Sequence, residues 1–343
     1  MGREGYEIGV KIAVDAMGGD HAPEVVVTGA VNAVSEHGFE CALVGDESVL
    51  KTILPEDLSS QAIRDNISIV HAPEVVAMGD LPTQIIRKKQ SSMAVAYRLV
   101  KDEKADAIFS AGNSGALVAG GRHLLGLIEG VEKPGLLITF PTLTGRDVII
   151  IDAGAATDYR ASELVVLARM GKVYAEEIMG LENPVIGLLN IGEEKFKGSD
   201  YVRKAHKLLG ETELNFRGNI EGNAIVESVA DIVVCDGFVG NTILKSAEGT
   251  FGFIINILKQ EISRDFRSKI GALLLKPVFN RLKRRADWKE RGGGVILGLK
   301  GNVFIGHGRS DTKAIQNGLR LAEKLGKADL WLKIQKELSA GGV

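Results

Sequence analysis

The sequence predicts an α/β protein: a three-layer α/β/α arrangement with a largely parallel sheet and a helical insertion near the C-terminus. Three observations carry this. Nine short runs rich in β-branched and apolar residues recur along the 343-residue chain. Helix-period patterns stand between most of them, and glycine-rich polar segments follow seven of them. Strands alternating with helices imply parallel pairing with helices on both faces.

The first run, Val10 to Asp15, ends in AMGGDHAP, and Pro23 to Glu36 then shows the helical period. Pro23 suits a first helical turn and Gly38 a helix stop. CALVG, ISIVHA, DAIFSAGN, LLITF, DVIIIDAG, VIGLLNIG, ADIVVCDG and NVFIGHG repeat the grammar. The chain is expected to form one domain over 10–343, or two lobes around a cleft, with polar boundaries near Thr142 to Arg146 and Gly210 to Glu213. Residues 1–9 read as an extension and 241–291 as a helical insertion.

Hydrophobic residues make up 45% of the chain, enough for a full core, and 42 basic residues nearly balance 44 acidic ones. A charged partner must therefore meet a local patch rather than the whole surface. Cys41 and Cys235 show no metal-ligand or disulfide spacing, which fits a reducing compartment and no bound metal. The N-terminus lacks the apolar core of a signal peptide, and no stretch offers about 18 uncharged apolar residues for a membrane span.

In parallel sheets the segments after strands share one edge, where ligands of open α/β folds bind. The segments DAMGGD, SAGNSG, DAGAAT, NIGEE, EGN, CDGFVGN and GHGRSD are thus expected to meet at one site. SAGNSG opens a helix whose free N–H groups and dipole favour an anion. Ser110, Gly112, Asn113, Ser114 and Gly115 are the expected phosphate cradle, with no Walker or dinucleotide signature to narrow the ligand.

Around it, Gly18 and Gly19 allow close backbone approach, and Asp15 and His21 add titratable groups. Asp20 reads equally as a cap for the helix opening at Pro23. Asn190, Glu193, Glu194, Lys195 and Lys197 mix donors and charges, and Lys197 is expected to offset phosphate charge. Asn219, Asp236 and Asn241 lie at further strand ends, with Lys245 one turn into the next helix. His307, Arg309 and Ser310 precede a last helix capped by Asp311 or Thr312. His307 and His21 are the expected proton handlers. Cys235 has no base nearby in sequence to activate it.

From Arg264 to Arg291 ten residues are basic and three acidic. Within this stretch Leu273, Leu274, Leu275, Val278 and Phe279 read as an apolar tip beside Lys276, Arg281, Lys283, Arg284 and Arg285. The combination suits an anionic membrane surface or an acidic protein, and also an oligomer helix with a solvated basic face. Nucleic acid is not expected, because stacking aromatics are scarce there.

VKIAVDAMGGDHAP, SAGNSGAL, LLNIGEE, GNIEGN, VVCDGFVGN and LGLKG followed by HGRS occur in one order from about Val10 to about Ala322. Together they resemble the bacterial acyl-[acyl-carrier-protein]:phosphate acyltransferases. The resemblance implies transfer of a long-chain fatty acyl group from acyl carrier protein to inorganic phosphate, for phospholipid synthesis, without cofactor or metal. It also implies a fold similar to isocitrate and isopropylmalate dehydrogenases and phosphotransacetylase, a homodimer, and a cytoplasmic enzyme in peripheral contact with the inner face of the membrane. Two places depart from the family pattern. Ala156 stands for an amide and Ala161 for a proline, and RKKQSSM lacks an acidic residue before its serine pair. The competing enzymatic reading is a dehydrogenase or short-chain phosphotransacetylase; the non-enzymatic one is a lipid-sensing scaffold.

Overall fold

Alternating side chains in β-branched runs bury both faces of a strand when helices cover both sides, and that is how the core forms here. The computed structural model describes residues 9–54, 61–286 and 291–340, with the side chains of 61–63 and 283–286 outside the description. The strands are β1 (Lys11–Asp15), β2 (Glu40–Gly45), β3 (Ile67–His71), β4 (Ala107–Ser110), β5 (Gly135–Phe140) and β6 (Val148–Ile151). They continue as β7 (Ile186–Leu189), β8 (Phe216–Ile220), β9 (Ile232–Val234), β10 (Gly294–Leu297) and β11 (Asn302–Ile305). The helices are α1 (Glu24–His37), α2 (Glu47–Ile53), α3 (Gln61–Asn66), α4 (Gln84–Arg87), α5 (Ser92–Lys101) and α6 (Ser114–Gly120). After them come α7 (Ala161–Met179), α8 (Asp200–Gly210), α9 (Gly237–Ser263), α10 (Phe266–Ala286), α11 (Thr312–Ala328) and α12 (Leu330–Ala340).

All eleven strands form one sheet in the order β3-β2-β1-β4-β11-β10-β5-β6-β9-β7-β8. On one face, Ile12, Val14, Phe109, Leu137, Ile149, Ile151 and Phe304 pack under α1, α7, α8, α11 and α12. The Phe109 and Phe304 rings stack at 5.6 Å, a pairing worth about 0.5–1.5 kcal/mol beyond burial. The other face carries two separate clusters. Ile108, Val303 and Ile305 meet α5 and α6; Ile138, Ile150 and Val233 meet Ile225 and the start of α9. The three layers match the expected fold class.

The sheet is also largely parallel as expected, with seven of its ten strand pairings parallel, but it is not parallel throughout. β10 is antiparallel to both β11 and β5, and β5 is antiparallel to β6. Six strands, β3, β2, β1, β4, β11 and β5, therefore run one way, and β10, β6, β9, β7 and β8 run the other. Carboxyl ends point to opposite edges in the two halves, so the seven glycine-rich segments cannot all share one edge. DAMGGD, SAGNSG and GHGRSD lie at the first edge; DAGAAT, NIGEE, EGN and CDGFVGN lie at the second. Two strands, β8 and β10, are additional to the nine expected runs. FRGNI is broken by Arg217 and by Gly218 at φ 116°, and GVIL hides behind three glycines.

The helical insertion is a hairpin of α9 and α10 whose turn lies between Ser263 and Phe266. Leu273 to Phe279 thus sit midway along α10 rather than at a tip. Along α9 only Gly237 and Gly240 are fully buried. The rest of the hairpin exposes Phe253, Ile254, Phe266, Ile270, Leu273 and Leu274, the last at 76%. Among the described residues, no helix is long and apolar enough to cross a membrane.

Candidate active site

At the first edge, Asp15 and Ser110 are register partners on β1 and β4. The Ser110 hydroxyl donates to Asp15 Oδ2 at 2.7 Å and accepts the Gly112 N–H at 3.1 Å. A side chain at Gly18 would strike that carboxylate at 2.5 Å and the Gly112 nitrogen at 2.9 Å. Glycine is required there, as is Gly19, whose φ is 122°. Asp15 is buried, and burial pushes its carboxyl above the usual range while the Ser92 and Ser110 hydroxyls pull it down.

Asn113 caps α6: its Oδ1 accepts the Ala116 N–H at 3.0 Å. Its Nδ2 faces the carbonyls of Ala77, Met78 and Asp80 at 3.3, 3.1 and 2.8 Å. The side chains of Ser110 and Asn113 therefore hold the loop and are not donors to a ligand, which corrects the expectation from sequence. The exposed Ser114 hydroxyl and the N–H groups of Ser114 and Gly115, which have no protein acceptor among the described residues, are the donors that remain.

Ser114 lines a cleft of about 710 Å³ on the helix-poor strip of the sheet between the two clusters. Asp20, Ser114, Asn241, Lys245, His307 and Arg309 ring it, and Leu136, Ile138 and Leu244 form part of its apolar lining. Gly154 reaches it from the second edge, beside Asn241. Asp20 does not cap α1; Pro23 occupies the cap position, and the Asp20 N–H bonds to Gly308 O at 2.8 Å. Asp311, not Thr312, caps α11.

His307 Nδ1 accepts the Arg309 N–H at 3.1 Å, so the neutral ring carries its proton on Nε2 and is a donor there. Burial, and then the positive charge of Lys245, hold its pKa below the ordinary 6.5. Lys245 pairs with Glu248 at 2.9 Å. His21 is exposed and lies outside the cleft lining.

The second edge gathers the other candidates. Asn190 holds its own loop, accepting the Ile191 N–H and donating to Lys197 O. Asn219 donates to Glu194 O and contacts His206. Glu193 is exposed, and Lys197 pairs with Glu194 at 2.8 Å, which raises the lysine's pKa. Lys197 is thus separated from the Ser110–Gly115 loop by the reversal of strand direction, and the cations lining that loop's cleft are Lys245, Arg309 and Arg291, the last paired with Asp147. Asp236 caps α9 and accepts the Tyr201 hydroxyl. Burial pushes the Cys235 thiol far up, so it stays protonated.

Asp152, which the sequence reading left out, organises this edge. Its buried carboxylate accepts N–H groups from Leu136, Gly154, Ala155 and Ala156 and the Tyr159 hydroxyl. Its own carbonyl lies where a Cβ on Gly240 would sit, at 1.9 Å. The signal was available, since a strand-end Asp followed by small residues is built for such a turn. Ala161 is the first residue of α7, where a proline's missing N–H is tolerated, so alanine there changes little.

On the hairpin, Leu274, Lys276 and Arg281 are exposed and Phe279 is half-buried. The side chains of Lys283, Arg284 and Arg285 lie outside the described residues.

The sheet and its central cleft define an α/β enzyme of phosphotransacetylase fold. Over 93% of its length the chain superposes on a phosphotransacetylase from Streptococcus pyogenes with a TM-score of 0.59, covering 94% of that chain at 15% identity. One from Staphylococcus aureus gives 0.58 at 16% identity, with the same coverage of both chains. Residues 10–333 match the model of the fatty acid synthesis protein family. The phosphate acyltransferase of Aquifex aeolicus is 43% identical over 325 residues, 95% of this chain and 96% of that protein. That of Brevibacillus brevis is 41% identical over 331 residues, 96% and 97% of the two chains. The chain belongs to this family, whose relatives are the phosphate acyltransferases.

Proposed function

We propose that the chain transfers a long-chain fatty acyl group from acyl carrier protein to inorganic phosphate, supplying acyl phosphate for phospholipid synthesis. The observation that carries this reading is the joining, in one cleft, of an oxyanion-receptive loop, three cationic side chains, a histidine donor and an apolar floor.

Phosphate rests against the N–H groups of Ser114 and Gly115, with Gly112 shaping the turn and Lys245 and Arg309 offsetting its charge. One of its oxygens attacks the thioester carbonyl carbon. The C–O bond forms as the carbonyl oxygen takes negative charge, and the C–S bond then breaks, the thiolate leaving with the electron pair. His307 Nε2–H hydrogen-bonds the developing oxyanion, a contribution of about 2.7–4 kcal/mol for one well-placed donor. Asp15, Ser110 and Asn113 act through the loop they hold. No metal or cofactor enters the step.

Purified protein with palmitoyl acyl carrier protein and phosphate is expected to form acyl phosphate, trapped by hydroxylamine as the hydroxamate. Folded protein without this product overturns the reading. Faster turnover of acetyl-CoA than of the carrier-protein thioester would favour a short-chain phosphotransacetylase instead.

The exposed apolar side chains of α9 and α10 support a second part of the reading: a cytoplasmic homodimer that touches the membrane peripherally through this hairpin and its basic residues. Leu274→Asp is expected to abolish flotation with anionic vesicles while acyl transfer persists. Loss of both, with a change in mass by light scattering, would assign the surface to the dimer.

A further inference from the structure

The central cleft is far larger than an inorganic phosphate. At about 710 Å³ it lies within the range of about 300–1,000 Å³ that holds drug-sized ligands. Its floor has a definite origin. Leu136 and Ile138 are two apart on β5, so both face the strip that α5 and α6 cover on one side and the start of α9 on the other. Leu136 packs against both clusters and marks the seam between them. Gly294 pairs with Ile138 across β10. A Cβ on Gly294 would press on Leu136 and Ile138 at 3.0 and 3.1 Å, so the floor stays open because this strand residue has no side chain. Leu244, at the start of the third turn of α9, lines the strip as well.

A second cavity, of about 440 Å³, lies on the other side of the same helix, where Val239 and Ile243 line it together with Val202 and Tyr201. It too is largely apolar. None of the residues 110–115 lines it. An acyl carbon must come within about 3–3.5 Å of the attacking oxygen, so a chain whose thioester meets phosphate at Ser114 extends over β5 and not into the second cavity.

We propose that Leu136, Ile138 and Leu244 form the acyl-chain subsite and set chain-length preference, resting on the phosphate acyl-transfer reading above. Each methylene admitted to or excluded from an apolar pocket changes kcat/KM by about tenfold to two-hundredfold. Leu244→Trp shortens the subsite, and Leu244→Ala lengthens it.

The test measures kcat/KM for carrier-protein thioesters from octanoyl to stearoyl in wild type, Leu244→Trp, Leu244→Ala and Val202→Trp. Leu244→Trp is expected to lower the palmitoyl-to-octanoyl ratio by about tenfold or more, and Leu244→Ala to raise the stearoyl-to-palmitoyl ratio, with the phosphate KM unchanged. Val202→Trp, in the second cavity, keeps the wild-type profile. An unmoved profile in both Leu244 variants, a uniform fall across all chain lengths, or a shift in Val202→Trp alone overturns the proposal. Should Leu244→Trp fail to fold, the Leu244→Ala arm decides. Wild-type protein that makes no acyl phosphate would sink the functional reading itself, whereas normal wild-type turnover with unmoved variants sinks only this subsite.

Discussion

At the ends of β1, β4 and β11 the loops hold one another through Asp15, Ser110 and Asn113 and leave backbone donors over, and Ser114, Lys245, His307 and Arg309 line a cleft there. At the ends of β6, β7 and β9 the loops are just as rich in glycine and polar residues, but there the bonds close on themselves. Asp152 is surrounded by donors, Asn190 and Asn219 tie down NIGEE, and Lys197 is matched by Glu194. The difference teaches that glycine and amide content marks tight strand-end loops, while a site needs donors left over and a cavity to receive a ligand.

The largest effect that separates the two edges is expected from Asp15→Ala. It frees Ser110 and lets the phosphate loop shift, and a displacement of about 1 Å costs about a hundredfold in rate. Steady-state kinetics should show the loss in kcat/KM, while denaturant titration shows only the penalty of about 1–3 kcal/mol for an unpaired buried hydroxyl. Near wild-type kinetics would remove the first edge from catalysis.

Gly240→Ala tests the second edge. Its Cβ would overlap the Asp152 carbonyl, and overpacking of this kind costs about 1–3 kcal/mol or more in stability. The midpoint of thermal unfolding should fall, and an unchanged midpoint would mean that α9 is not seated as described.

A smaller effect concerns His307. Because burial and Lys245 disfavour its charged form, its ring should titrate below 6.5 when followed by NMR. Lys245→Met removes a positive charge and should move the titration upward, toward 6.5; a downward move would contradict the arrangement. The smallest effect is expected from Lys197→Ala. An exposed pair contributes about 0–1 kcal/mol, and kcat/KM should stay within about twofold of wild type. A collapse of turnover would bring Lys197 and its loop into the site.

Much of the fold was legible because most of the nine β-branched runs are buried strands whose period and length mark them, β3 at the sheet edge being the half-exposed one. The hairpin was legible as well, its helical pattern running without strand signals. Strand direction was legible only in a detail. PTLTGR, between LLITF and DVIII, is too short for a parallel crossover, which needs about a dozen residues, so it dictates an antiparallel hairpin. β10, four residues behind Gly292 to Gly294, had no such signal. In the site, the loop from Ser110 to Gly115 was visible as an anion cradle, but not which of its groups would be occupied. Asn113 and Ser110 have the side chains a ligand would want, and the same chemistry lets them cap and brace their own turn. The pairing of Lys245 and Arg309 with that loop depends on α9 and on β11, far away in sequence.

One feature of α9 links the cleft to the surface. Its first turns carry Asn241, Leu244 and Lys245, and its far turns carry Phe253, Ile254 and Ile257, all on one uninterrupted helix of 27 residues. Such a helix is a rod of about 40 Å, clamped at its foot by Gly237 and Gly240 against the Asp152 loop. Because its foot is seated there while Phe253 and Ile254 stand exposed at its far turns, one continuous element carries both the wall of the cleft and the apolar surface of the hairpin.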